Sequence, residues 1–473
     1  MKKIFKFNLN SKKKRFISNL IGSIIFLYGI LTPMGIGQFS VYITSYFHHY
    51  NSNINIQLGN LMMPLLILFL LLSSPLGGFF EHKFGMKLTL ALNSILLELI
   101  IFIFIIQRNI WITFLLIILI GIICGTVITI PGKNICLYYP EKKGILMALM
   151  NSAIIIFGSI MNLIGEKIIN PEKITIKKGE TYYPFDVAKN YIKLYKLILI
   201  IIPICVFISL LLIKKYDPKY NEQTEKLENN NISSEKDENY SKNLKAAIFN
   251  SRIWKIAAIS IFSEFVMDFV ISTFRVYGAL IAIDGTLMQY LPVFFGLSNV
   301  IFGPIWGYIN DKFQNFKIVK TLCLCFIVHS LFIIIFIKSN LIYIICIFVG
   351  FIFNSGMHSL IQPHIMKIYG MKYYIEVGGV ISISIGILKI LKAGLSYIIS
   401  FYYHTGEELQ KPYRIIYIFG MGLNFLAYYL SSKENEELFI YPDSLNKNMQ
   451  ISINENISQI KSEVKIEESL NKV

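Results

Sequence analysis

Long apolar segments alternate with short polar ones along most of the chain. Each segment has about 20 residues or more, the length that a helix needs to cross a hydrocarbon core of about 30 Å. Six segments precede a polar stretch in the middle of the chain and six follow it. This pattern predicts an all-α membrane protein with twelve transmembrane helices in two six-helix bundles. The segments are Ile17–Phe47, Leu58–Phe80, Lys87–Ile106, Ile110–Tyr139, Ile145–Ile164, Tyr195–Ile213, Ile253–Tyr277, Gly285–Tyr308, Ile318–Ile337, Leu341–Ile361, Val377–Tyr402 and Arg414–Leu430.

The two halves of the chain repeat each other. Gly78 begins the sequence GFFEHKFGMK, and Gly307, 229 residues later, begins GYINDKFQNFK. Gly121 and Gly350, each in the second helix after its repeated turn, keep the same spacing. A duplicated hydrophobic bundle is typical of secondary transporters, in which the two halves move against each other around a central site.

Polar composition sets the boundaries of the bundles. Residues 1–16 form a basic tail, 17–213 the N-terminal bundle, 214–252 a linker, 253–430 the C-terminal bundle and 431–473 a second tail. The linker and the second tail are rich in Asn, Glu, Lys and Ser, so we expect them to be largely disordered. Lys and Arg are concentrated in the first tail and in every second short loop, which predicts that both termini are cytoplasmic.

The formal net charge of +16 does not indicate a nucleic-acid partner. The basic residues lie at the ends of apolar segments, where they determine topology. Hydrophobic residues make up 54% of the chain and the mean hydropathy is +0.56. The six cysteines all fall within apolar segments, so neither a disulfide framework nor a zinc site is predicted. We expect no metal, no cofactor and no enzymatic activity.

The two repeated turns resemble the signature of the major facilitator superfamily, Gly-x-x-x-Asp-Arg-x-Gly-Arg-Arg. The matching residues are Gly78, His82, Lys83, Gly85 and Lys87 in the first copy and Gly307, Asp311 and Lys312 in the second. His82 stands where the acid is expected, and Glu81 is a candidate for the missing carboxylate. The resemblance implies that these residues take part in gating, because charge pairs and helix dipoles hold neighbouring helix ends together.

The fourth and fifth helices are similar to those of the oxalate/formate antiporter and monocarboxylate transporter group, which includes protozoan organellar pyruvate carriers. A glycine-rich helix is followed by the turn from Tyr138 to Gly144, YYPEKKG, and by a helix with spaced glycines. The second half repeats this pattern from Ile368. In the eighth helix, Gly303 stands where members often have an Arg that binds the substrate carboxylate.

Ionisable residues within the apolar segments are candidates for the transport pathway, because a charge in lipid is costly. Lys389 and Lys392 lie one turn apart, midway along the eleventh helix, where the antiporter family has a substrate-binding lysine. Gln38 and Tyr42 in the first helix and Lys133 in the fourth are further substrate-binding candidates. The alternatives are that the helix-eleven lysines pair with carboxylates to hold the bundle together and that Lys133 extends toward the membrane surface.

The seventh helix carries the carboxylates predicted to bind a coupling proton. Glu264, Asp268 and Arg275 are spaced so that they share a helix face. A carboxyl group beside a membrane cavity suits proton coupling, and an internal salt bridge is the alternative. A lone histidine such as His358 is more typical of a structural hydrogen bond.

These features predict a secondary transporter of a small organic anion. We expect a monocarboxylate such as pyruvate or lactate, carried by alternating access with proton symport or anion exchange. The partners are then the solute, protons and the lipid bilayer, with the protein acting as a monomer in a plasma membrane or a plastid-type organelle membrane. Two alternatives remain: a facilitator for an amino acid, drug or cationic metabolite, and a transport-inactive receptor or scaffold.

Overall fold

The computed structural model describes residues 2–54, 58–174, 182–216, 237–280, 285–313, 317–336, 340–402 and 406–434. Within these ranges all regular secondary structure is helical. Backbone N–H and C=O groups cannot hydrogen-bond to water inside a bilayer, and a helix satisfies them within its own segment. The long apolar segments therefore fold as helices.

Twelve long helices cross the part of the fold that these ranges cover, and we number them α1 to α12 in chain order, with one number for a helix that contains a break. Their bounds are Lys2–Leu31 and Ile36–Tyr50 (α1), Gly59–Phe84 (α2), Met86–Ile106 (α3), Ile110–Ile128 and Ile130–Cys136 (α4), Lys143–Ile169 (α5), Tyr191–Leu212 (α6), Ser251–Leu280 (α7), Gly285–Phe313 (α8), Lys317–Phe336 (α9), Asn340–Tyr369 (α10), Tyr374–Tyr402 (α11) and Gly406–Ser432 (α12).

Ten of these helices are long and apolar enough on their described residues to cross a membrane. The other two, α7 and α8, have 30 and 29 residues and include side chains outside the described set. An even number of spans puts the start of α1 and the end of α12 on one face of the fold. We call this face the termini side and the other the opposite side.

Two helices are interrupted where the sequence carries helix-disrupting residues. Thr32–Gly35 forms a 3-10 turn that divides α1, because Pro33 has no N–H to donate to the preceding turn. In α4 the break at Thr129 comes two residues before Pro131. The basic residues predicted as a separate tail contain neither Gly nor Pro, and the structure includes them in the first turns of α1 from Lys2.

Close helix packing inside the N-terminal bundle depends on glycine. A Cβ atom on Gly121 would lie 2.6 Å from the Leu66 carbonyl oxygen, and one on Gly125 would overlap the Leu70 carbonyl oxygen. These contacts bring the backbones of α4 and α2 together, as small residues do between membrane helices. At the end of α2, Gly85 has a φ of 80°, a conformation that favours glycine and ends the helix before α3.

The two bundles meet along two pairs of helices, α2 with α11 and α5 with α8. In the first pair, a Cβ on Gly379 would lie 2.6 Å from the ring of Pro75. In the second pair, the Ser152 hydroxyl donates a 2.7 Å hydrogen bond to the Asn299 carbonyl oxygen. The pairs are related by the repeat, because α2 and α8 carry the two copies of the signature turn.

The polar stretch between the bundles is partly described. At its start, the Lys214 N–H donates to the Asn19 side chain at 2.7 Å and the Tyr216 N–H donates to Asn134 at 3.0 Å. These bonds attach the linker to α1 and α4. Residues 237–248, predicted as linker, form the helix Asp237–Ile248. Most of the predicted second tail, from residue 435, lies outside the described residues.

We expect Gly125→Ala to destabilise the protein by about 1–3 kcal/mol, since the added methyl group forces α2 and α4 apart. Thermal unfolding of the purified protein in detergent measures the effect. Gly422→Ala is the matched control, because a Cβ on Gly422 in α12 meets no other atom within 4 Å. Equal melting temperatures for the two variants would contradict the packing argument.

Candidate functional site

A cavity lies between the two bundles, with a volume of about 120 Å³. The N-terminal bundle contributes residues of α1, α2, α4 and α5, and the C-terminal bundle contributes residues of α10 and α11. The polar part of the lining consists of hydroxyl and amide side chains, which suit hydrogen bonding to a small polar solute. These are Ser74, Thr129, Asn151, Gln362, Tyr374 and Ser382.

The cavity is closer to the termini side than to the opposite side. Two of its lining residues, Gly132 and Met147, lie about one turn from the ends of α4 and α5 on the termini side. Tyr374, the first residue of α11, donates a hydrogen bond from its hydroxyl to Oε1 of the Gln362 side chain. This bond links α10 to α11 at the termini side of the cavity.

Lys389 lies on the face of α11 that is directed at the N-terminal bundle. Ser382, seven residues earlier, lines the cavity, and seven residues bring a helix back to nearly the same face about 10 Å further along. Gly386, between them, packs against Leu71 of α2. The Lys389 side chain is half-buried. Among the described residues, no ion pair includes its ammonium group.

Lys392 faces the interior of the C-terminal bundle. It is 2% exposed, and its Nζ lies 5.3 Å from the centre of the Phe265 ring in α7. A cation over an aromatic face is stabilised by the ring quadrupole. The two lysines predicted as one site therefore point in different directions, one to the interface between the bundles and the other to α7.

Glu264 adjoins Phe265 and is also 2% exposed. Its Oε1 lies 3.6 Å from Nδ1 of His358, which reaches across from α10. Two neighbouring helices thus bring charged or titratable side chains to the same part of α7. His358 of α10 approaches Glu264, and Lys392 of α11 approaches the adjacent Phe265. The side chain of Asp268, the second predicted carboxylate, lies outside the described residues.

Tyr42 and Lys133, two further predicted solute-binding residues, are not among the described residues that line the cavity. Tyr42 is at the opposite side, where its hydroxyl donates to Glu166 at 2.8 Å and accepts from Asn170 at 3.3 Å. Lys133 forms a 2.9 Å ion pair with Glu81 and joins α4 to α2. Gln38 lies one turn before Tyr42, and its side chain is outside the described residues.

The second copy of the signature turn connects the two bundles. Asp311, near the end of α8, accepts hydrogen bonds from the N–H groups of Gly144 at 2.7 Å and Ile145 at 2.9 Å. These groups belong to the first turn of α5, where the helix dipole favours a negative charge. Gly307 makes the approach possible, because a Cβ on it would lie 2.5 Å from the Gly144 carbonyl oxygen. Lys312 is exposed.

The first copy uses a different acid. His82 and Lys83 are exposed, and Lys87 donates to the Leu210 carbonyl oxygen at 3.1 Å. Glu81, the candidate for the missing carboxylate, is the partner of Lys133 within the same bundle. The carboxylate beside Gly78 is instead Glu376 in the first turn of α11, so close that a Cβ on Gly78 would overlap it.

Sequence reasoning did not identify the cavity lining. Asn151 lies within an apolar segment and Gln362 directly after one, but the sequence does not indicate which helix face either residue occupies. Thr129 carried one available signal, since it lies two residues before Pro131, where α4 is interrupted. Ser382 carried none, because serines are common in membrane helices.

A family model described as Major Facilitator Superfamily matches residues 24–391. A search of curated proteins gives no match. Among solved structures, the proton:xylose symporter XylE bound to 6-bromo-6-deoxy-D-glucose has a TM-score of 0.63 at 12% identity, with 91% of this chain and 98% of that chain covered.

Two further solved structures have the same fold. The human organic anion transporter MFSD10 (TETRAN) has a TM-score of 0.61 at 11% identity and covers 89% of this chain and 99% of its own. The transporter FucP in the outward conformation has a TM-score of 0.60 at 14% identity and covers 89% and 100%. At these identities the likeness shows the fold alone.

We expect Asp311→Asn to open the termini side more often, because it removes the charge that Asp311 directs at the N–H groups of α5. Hydrogen bonds to a charged group are worth about 1.5–3 kcal/mol, so opening should increase about tenfold. The measurement is labelling of a Thr129→Cys reporter, in a chain without its native cysteines, by a thiol reagent added on the termini side. Lys312→Ala, which changes an exposed neighbour, should leave labelling unchanged. Equal labelling in the Asp311 variant and its parent would contradict this role.

Proposed function

This chain belongs to the major facilitator superfamily, and we propose that it carries a small organic anion, a monocarboxylate such as pyruvate or lactate, across its membrane. The family and the fold indicate a multi-pass transporter of small solutes in a lipid bilayer. The choice of an anion depends on the chemistry of the residues between and within the bundles.

The observation that carries the proposal is the position of Lys389. This residue is half-buried at the interface between the bundles, and its ammonium group takes part in no ion pair among the described residues. A charge held away from water is stabilised by an opposite charge. A carboxylate arriving from the central pathway supplies that charge.

Lys392 adds positive potential to the same part of α11. It is buried one turn beyond Lys389 and is held over Phe265. Two cations on one helix create a local field that favours an anionic solute over a neutral or cationic one.

The glycine at position 303 is consistent with a cation supplied by α11. A Cβ on Gly303 would lie 3.0 Å from the Ser152 hydroxyl, at the contact between α8 and α5. An arginine at this position has no room unless the bundles separate. In the related group, an arginine of the eighth helix often binds the carboxylate. In this chain we assign that role to Lys389.

The cavity suits the neutral part of a small solute. Its volume of about 120 Å³ accommodates a few water-sized groups. Its hydroxyl and amide lining can donate to and accept from a keto or hydroxyl oxygen. Desolvation offsets much of the attraction between a carboxylate and a buried lysine, which leaves a weak and releasable affinity suited to transport.

The fold leaves the substrate open, because one structural relative is described as a sugar symporter and another as an organic anion transporter. The turn from Tyr138 to Gly144 supports membership of the oxalate/formate and monocarboxylate group. We further propose that both termini are cytoplasmic, that the chain acts as a monomer in a plasma membrane or a plastid-type organelle membrane, and that a proton gradient or anion exchange drives transport.

We expect proteoliposomes that contain the protein to take up labelled pyruvate, lactate or formate with saturable kinetics. Lys389→Ala should reduce the rate at least about tenfold, because losing one charged hydrogen bond costs about 1.5–3 kcal/mol. Lys389→Arg, which keeps the charge, should retain part of the rate. Uptake measured in parallel at several concentrations separates the effects on kcat and KM.

The matched control is Lys193→Ala, which removes an equal charge from an exposed position on α6. It should transport at the rate of the parent protein. Unchanged kinetics in Lys389→Ala would contradict the proposed anion site. If folded parent protein transports none of the three acids, the solute belongs to another chemical class.

A further inference from the structure

We propose that Glu264 and His358 together form the proton-binding site that couples transport, so that the anion moves with a proton and not in exchange for another anion. This inference rests on the proposed function, because it concerns how the anion site on α11 is driven. It adds His358 to the residues that take part in transport, and it favours proton symport over anion exchange.

The two side chains are placed to share a proton. Oε1 of Glu264 and Nδ1 of His358 are 3.6 Å apart, within ion-pair distance. With one proton bound, the pair is either a carboxylate beside an imidazolium or a neutral acid beside a neutral imidazole. Without it, the pair carries one negative charge. Binding the proton therefore changes the charge of the pair by one in either arrangement.

His358 connects the buried carboxylate to water between the bundles. Gln362, one turn along α10, lines the cavity, and residues four apart share a helix face. The His358 side chain is 38% exposed, whereas that of Glu264 is 2% exposed. A proton from the cavity thus reaches the imidazole first and passes from its ring nitrogen to the carboxylate oxygen.

Among the residues that the structure describes, the helices around α7 present few other titratable groups at this level. Lys392 approaches from α11 over Phe265, and His329 approaches from α9 beside Gly350, with its Nε2 2.8 Å from the Cys346 carbonyl oxygen. From α12 the facing residue is the amide Asn424, and Arg414 lies about 15 Å further along that helix. The described part of α8 from Phe294 to Gly307 has no titratable side chain.

The charges of these groups link the proton to the anion. With Lys389 and Lys392 as ammonium groups and Glu264 as a carboxylate, the three side chains have a combined charge of plus one, and a proton on the pair raises it to plus two. A bound monocarboxylate lowers either value by one. Because opposite charges attract strongly away from water, the proton favours binding of the anion and the anion favours binding of the proton, and this coupling is reciprocal. Exchange of one anion for another moves no proton, so it would not use the proton that the Glu264–His358 pair binds.

Two transport assays on Glu264→Gln separate coupling from solute binding. Counterflow, in which labelled anion exchanges with unlabelled anion, needs no net proton movement and should stay within about threefold of the parent rate. Accumulation driven by an inward proton gradient should fall about tenfold or more, to equilibration, because the amide cannot accept the proton that His358 passes on. The parent's KM for the anion should rise with increasing pH, and that of the variant should stay constant.

His358→Asn is the second variant and should show the same separation. Glu98→Gln is the control, since it makes the same acid-to-amide change at a half-buried position in α3 and should accumulate anion like the parent. Retained accumulation in either Glu264→Gln or His358→Asn overturns this inference. Loss of counterflow and accumulation together in both variants, with folded protein, also overturns it and places the pair in solute binding. Absence of counterflow in the parent refutes the proposed function instead.

Discussion

Hydrocarbon cannot hydrate a charge or a peptide group, and the architecture of this protein follows from that constraint. Backbone groups are satisfied within helices, so each apolar segment becomes a helix that spans the layer. Most Lys and Arg residues lie at helix ends, where water is available. The exceptions are therefore informative: Lys392 and Glu264 lie buried inside the C-terminal bundle and Lys389 lies half-buried at the interface between the bundles, where a charge is costly.

The same constraint explains how the bundles contact each other. Lipid tails are as apolar as leucine, so burial from water does not drive helices together within the membrane, and contacts depend on close packing and polar bonds. Gly379 and Gly307 allow the backbones of the two bundles to touch. On the termini side, the Asp311 carboxylate adds two directional hydrogen bonds to the first turn of α5. Such contacts are discrete, and this suits a molecule with two alternative arrangements.

Much of the fold could be predicted from sequence, because segment length, charge asymmetry and the repeat at Gly78 and Gly307 are one-dimensional signals. The family model and the solved structures confirm the major facilitator fold with its two six-helix bundles. The cavity could not be predicted. Which face Thr129 or Asn151 presents depends on helix rotation, and apolar residues on all sides of a membrane helix leave no amphipathic signal to reveal it. Pairings such as Lys133 with Glu81 depend on contacts between helices that spacing along the chain does not encode.

Under the proposed function, helix α11 links solute charge to bundle movement. It carries Gly379 and Gly386, which pack against α2, and on nearby faces it carries Lys389 and Lys392. A ligand shifts a two-state equilibrium only by the difference in its affinity for the two states. An anion that binds Lys389 lies at the surface where α11 meets α2, so its binding energy necessarily differs between an open and a closed interface. The solute therefore acts on the helix pair that must separate, and no longer pathway through the protein is needed to connect binding with opening.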